Sequence, residues 1–109
     1  MFTKSEYKKK LKTAIYESIN FRWKLLKQNP NANVPNCQLC QLKNEIANFK
    51  TIISCEICPG LCSNKDCCNG YYAWENNPIP ENAQIIINYL DSIDIDSWTN
   101  HLFEIGIIN

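Results

Sequence analysis

Apolar residues recur at helical period at both ends of this chain, over residues 4–28 and 81–106, and seven cysteines crowd into residues 37–68 between them. These observations predict a small α-rich single domain. In it a long N-terminal helix and C-terminal helices pack with an irregular region of zinc-knuckle (zinc-ribbon-like) type. A chain of 109 residues buries about two-thirds of its unfolded surface on folding, enough for a modest core, so a metal would supplement that core and not replace it. Residues 1–109 therefore read as one domain: a basic amphipathic helix (1–28), a cysteine region (37–74) and an acidic helical segment (81–106).

The first helix has a marked start. Thr3 and Glu6 are spaced as a capping box, and Phe2 and Tyr7 as a hydrophobic staple, which places the first helical residue at Lys4. Leu11, Ala14, Ile15, Ile19, Leu25 and Leu26 fall on one stripe, with Phe21 and Trp23 at its borders and Lys9, Lys10, Lys24 and Lys27 on the other side. Asn29-Pro30 ends the helix, because a residue before proline is pushed out of the α region.

The loop Asn29–Asn36 leads into the first cysteine pair. Beyond it Leu42, Ile46 and Phe49 keep helical spacing, and Thr51-Ile52-Ile53 is β-branched and reads as extended. From Cys55 to Tyr72 there is no periodicity, so a metal and not a backbone ladder would order that stretch. After a second loop at residues 76–80, Ala83, Ile86, Ile87 and Leu90 mark an apolar helix face, with Glu81 well placed in its first turn. A last short helix starts with Asp96 as N-cap, carries Trp98, Leu102 and Ile105, and stops with Gly106 at C′.

The net charge is zero but unevenly spread. Residues 1–50 carry ten Lys/Arg against three Asp/Glu, and residues 51–109 one against eight. The oppositely charged ends either pair within one chain or join two copies, which leaves the oligomeric state open. The N-terminus has no apolar h-region, and the longest aliphatic run is Ile85-Ile86-Ile87. A signal peptide and a membrane span are not expected, and the protein is expected in the cytoplasm.

In that compartment thiols stay reduced, and an odd number of cysteines suits a metal site better than a disulfide framework. Cys37-Gln-Leu-Cys40 and Cys55-Glu-Ile-Cys58, separated by fourteen residues, come close to a zinc-site signature. Each Cys-x-x-Cys turn brings two thiolates to one ion, and two such turns close a tetrahedral site with no open position for a catalytic water. The expected ligands are Cys37, Cys40, Cys55 and Cys58, with Cys68 the alternative to Cys55. Surplus Cys62, Cys67 and Cys68 keep two rivals in view, an iron–sulfur cluster and thiol redox chemistry. His101 reads as a surface or cap residue. No Ser-His-Asp set, phosphate loop or metalloprotease motif is present, so an enzyme is not expected.

The order Trp23, Cys37-x-x-Cys40, Cys55-x-x-Cys58-Pro59, Cys68, then Tyr71-x-x-Trp74 and the Ala83/Ile86/Leu90 face resembles a family of small cysteine-rich proteins encoded by bacteriophages and their bacterial hosts. The resemblance covers about residues 20–90. It implies a zinc-stabilised viral or prophage accessory protein, working in the host cytoplasm, and it adds weight to Cys68. This chain departs from the pattern in its longer insert between the pairs, in Cys62 and Cys67, and in the final helix. Accessory proteins of this kind act by binding a host machine, which implies a host protein or ribonucleoprotein partner such as a CRISPR effector nuclease of host defence.

Two binding modes follow. In the first, a zinc-stapled scaffold meets a host protein through Lys9, Lys10, Lys24, Lys27, Tyr72 and Trp74, Tyr and Trp being favoured anchors. In the second, the basic helix tracks nucleic-acid phosphates. The structural alternatives are a solvated lysine face and a Trp74 that closes over the cysteine region.

Overall fold

A computed structural model describes residues 2–47 and 70–109, and every regular element among them is helical. In order these are α1 (Lys4–Ser18), a π turn (Ile19–Trp23), α2 (Lys24–Gln28), α3 (Gln38–Ala47), α4 (Tyr71–Asn76), α5 (Pro80–Asp91) and α6 (Ile95–Glu104). Cys55, Cys58, Cys62, Cys67 and Cys68, the expected extended stretch 51–53 and Phe49 lie outside the described residues. So does the zinc knuckle they were expected to form.

The start of α1 is the one its sequence encodes. The Thr3 hydroxyl accepts from the Glu6 N–H and the Thr3 N–H donates to Glu6 Oε1, both at 3.2 Å. Phe2 packs half-buried on the core and Tyr7 is fully buried. The Thr3 backbone N–H, and then its hydroxyl, hold the Glu6 carboxyl below its ordinary 4.5. At α6 the Ser97 N–H does the same for Asp94. Both carboxylates are lowered on folding, so their contribution is present above the ordinary carboxylate range and is lost as pH falls through the lowered values. Acid titration followed by amide exchange is expected to open the first turns of α1 and α6. The start of α5, where Ile79 makes no side-chain cap bond, is expected to respond less.

Residues 4–28 do not form the uninterrupted α-helix expected from the apolar stripe. The π turn at Ile19–Trp23 closes i→i+5 hydrogen bonds, so the chain gains a residue per turn and the face behind it lags by roughly 100°, one α-helical residue step. Trp23, expected at the border, is consequently fully buried, whereas Leu25, expected in the core stripe, is 41% exposed. Leu26 keeps its place in the core and Phe21 points out. This register makes a sharp test. Leu26→Ala is expected to cost about 2–5 kcal/mol in denaturant unfolding and Leu25→Ala less than about 0.5. An unbroken helix would make both costly.

The helices wrap one core. α1 packs on α3 and α6, while the π turn and α2 pack on α5, which also carries α4. Tyr7, Leu11, Ile15, Trp23, Leu39, Ile86, Leu90 and Leu102 form its centre. The α5 face of Ala83, Ile86, Ile87 and Leu90 is buried as its spacing requires, with Pro80 at the helix start, where its missing N–H costs nothing.

Two further features differ from expectation, the first at the ends of α6. The N-cap of α6 is Asp94, not Asp96: its carboxylate accepts from Ser97 N–H at 3.1 Å, and Asp96 in the first turn instead pairs with Lys8 at 2.8 Å. Ile105 is exposed and serves as C-cap. Gly106 does stand at C′, with φ +79°, where an L side chain is strained. The bonds Gly106 N–H to Phe103 O and Ile107 N–H to Leu102 O complete a Schellman motif.

The second difference is α4. Residues 71–76 carry no usable period, and a six-residue helix is too short to stand alone. Gly70, at φ +92°, turns the chain into it, with Ile86 3.2 Å from where a Cβ would sit. Aromatic contacts across to Trp23 then hold the helix on the core.

Candidate functional site

The first cysteine pair lies at the start of α3. The carbonyl of Cys37 accepts from the Gln41 N–H at 3.1 Å, the first bond of the helix, and Cys40 falls in the first turn. Both thiols are half-buried and Cys37 packs against the core. A Cys-x-x-Cys step at a helix start sets its two sulfurs about one turn apart. It also places them near first-turn N–H groups that have no acceptor within the helix, a field that favours thiolates. This donor set fits half of a tetrahedral zinc site. Among the described residues no group of three or more His, Cys, Asp or Glu side chains converges, and Cys55, Cys58 and Cys68 lie outside them. The helix also places Lys43 one turn beyond Cys40 and buries it to 4% exposure.

An aromatic cluster stands behind the π turn. The Trp23 ring meets Trp74 edge to face at 5.3 Å and Tyr71 at 6.1 Å, and the Arg22 guanidinium lies over Trp23 at 5.4 Å. Arg22 also donates to the Pro35 carbonyl at 2.7 Å, pinning the loop before Cys37. The indole N–H groups of Trp23 and Trp74 are buried with no acceptor among the described residues. Trp74, a candidate partner residue from sequence, is thus half-buried in this cluster. Tyr72 is 45% exposed and remains on the surface.

The lysines divide in the same way. Lys10 pairs with Glu45 at 3.4 Å and stands 5.1 Å from the Phe2 ring. Lys27, half-buried, donates to Gln84 Oε1 at 2.6 Å. Lys24 is exposed and donates to Asn20 Oδ1 at 3.0 Å, while Lys9 is exposed at the rim of an open groove of about 440 Å³ between α1 and α3. Lys8 is held by Asp96 and Lys4 lies 4.1 Å from the Phe103 ring centre. Of these contacts, Lys8–Asp96 is the ion pair that joins the basic first half to the acidic second half within one chain. Exposed pairs of this kind are each worth about 0–1 kcal/mol, so they orient more than they stabilise.

Exposed apolar side chains are the feature sequence reasoning missed. Tyr16, Phe21, Ile85, Phe103 and Ile105 are each about half-exposed or more, and Leu25 joins them through the π turn. Its signal was the five-residue gap between Tyr16 and Phe21, which suits a π turn and no α-helical row. No helix among the described residues is long and apolar enough to cross a membrane. Compared with protein-family models, with curated proteins and with solved structures, the chain matches none.

Proposed function

We propose that this chain is a zinc-stapled, non-enzymatic accessory protein of viral or prophage type that acts by binding a host protein. The observation that carries the reading is the division of its surface. Lys4, Lys8, Lys10 and Lys27 are engaged within the chain, while large apolar side chains are left to solvent. Such a surface suits a protein partner, whose interfaces centre on aromatic and aliphatic anchors, better than a phosphate backbone, which needs a track of uncommitted cations. Cys37, Cys40 and Cys58, with Cys55 or in its place Cys68, would hold the zinc, whose contribution when bound would be to tie these cysteines to the start of α3.

Co-purification of the tagged full chain from its natural host tests the reading. A stoichiometric protein retained through high-salt washing is the expected result. Recovery of no specific protein would sink it. Retention on DNA or RNA that falls steeply with salt would move the function to the basic helix, where Lys9 and Lys12 are exposed. A host defence nuclease such as a CRISPR effector is the partner class to screen first.

A further inference from the structure

Building on the reading of the chain as a protein-binding module, we propose that the outward face of the π turn is a docking ridge for an acidic amphipathic α-helix of the partner. Tyr16, Phe21 and Leu25 stand 60%, 50% and 41% exposed. The rings of Tyr16 and Phe21 meet edge to face at 6.0 Å, and Phe21 and Leu25 are one helical turn apart, so the three form one continuous strip. The strip exists because of the π turn, which rotates Trp23 inward and Leu25 outward together. π turns are rare and recur at functional sites.

Charge names the occupant. Lys12 stands one turn before Tyr16, and Lys24, steadied by Asn20, adjoins Leu25. Neither is paired with an acid among the described residues, unlike Lys8 and Lys10. The neighbouring acid on this face is Glu17, one turn before Phe21. A complementary helix brings bulky apolar side chains at i, i+4 spacing to the strip and carboxylates to its flanks, the helix-to-helix mode in which apolar anchors supply affinity and charges supply register. A nucleic acid fits less well. Leu25 offers no stacking face for a base.

The probes are two synthetic amphipathic peptides of about twenty residues, long enough to hold a helix, with the same apolar face and either glutamates or lysines on the polar face. An oligouridylate is the third. With the metal-loaded full chain, the glutamate peptide is expected to bind saturably by fluorescence anisotropy and to shift the NMR signals of Tyr16, Phe21 and Leu25. Phe21→Ser and Leu25→Ser are each expected to weaken it about tenfold. Ile85→Ser, at another exposed apolar position, is expected to leave it unchanged. Equal or absent binding of the two peptides, an Ile85→Ser effect as large as that of Phe21→Ser, or tighter binding of the oligouridylate would overturn the ridge. If Phe21→Ser retains the co-purified host protein as well as wild type does, the ridge is wrong and the binding function stands. If wild type retains none, the function itself is wrong.

Discussion

Trp23→Ala is expected to cost about 3–5 kcal/mol, the range for a fully buried large aromatic, which is much of the total stability of a domain this size. The side chain has no exposed surface and touches Tyr71, Trp74 and Arg22. Removing it leaves a cavity between the π turn, α4 and α5 and frees α4, which is too short to persist alone. Denaturant unfolding followed by far-UV circular dichroism measures the loss, and with Trp98 replaced by Phe the fluorescence of Trp74 reports whether α4 lets go. A cost under about 1 kcal/mol would place Trp23 at the border of the helix, as an unbroken helical period has it, and would remove the π turn.

The second large effect concerns the cysteines. Native mass spectrometry with elemental analysis, on protein purified without added metal, is expected to find one zinc per chain. Chelation, or Cys37→Ser, is expected to release it and to lower the melting temperature sharply, since structural zinc sites contribute on the order of 10 kcal/mol in small zinc peptides. The helical signal should fall less than the melting temperature. Tyr7, Leu11, Leu90 and Leu102 are buried side chains of α1, α5 and α6, helices that carry no cysteine themselves. Iron with inorganic sulfide, or disulfides without metal, would end the zinc reading and make thiol redox chemistry the leading function.

Local signals carried much of the fold. The Thr3/Glu6 box, the Asn29-Pro30 stop, the Ala83/Ile86/Ile87/Leu90 face and the Gly106 cap all act within one or two turns, so spacing alone reveals them. What the sequence hid depends on distant partners. Trp23 turns inward because Trp74 and Tyr71, some fifty residues away, receive it, and no helical template includes a mid-helix π turn. Asp94 takes the cap because its extended backbone lets its carboxylate reach the Ser97 N–H, and Asp96 falls inside the first turn, where it meets Lys8 of another helix. For the site, Cys37 and Cys40 stand one turn apart at a helix start, and the other expected ligands lie outside the described residues. The lysine candidates proved divisible only once Glu45 and Gln84 were seen beside Lys10 and Lys27. The ridge was illegible because Leu25 looked like core.

The backbone joins its own extremes. Asn109 N–H donates to Phe2 O and Lys4 N–H to Asn109 O, both at 2.8 Å, so the first turn of α1 is completed by the last residue of the chain. Among the hydrogen bonds of the described residues these span the longest stretch of sequence, so they carry the largest loop-closure cost. It belongs to the same cooperative unit as the Schellman end of α6 and the capping box of α1, so fraying at either end removes hydrogen bonds from the other. Local opening is thus shared by the segments around Phe2 and Asn109, which close, and open, as a single latch.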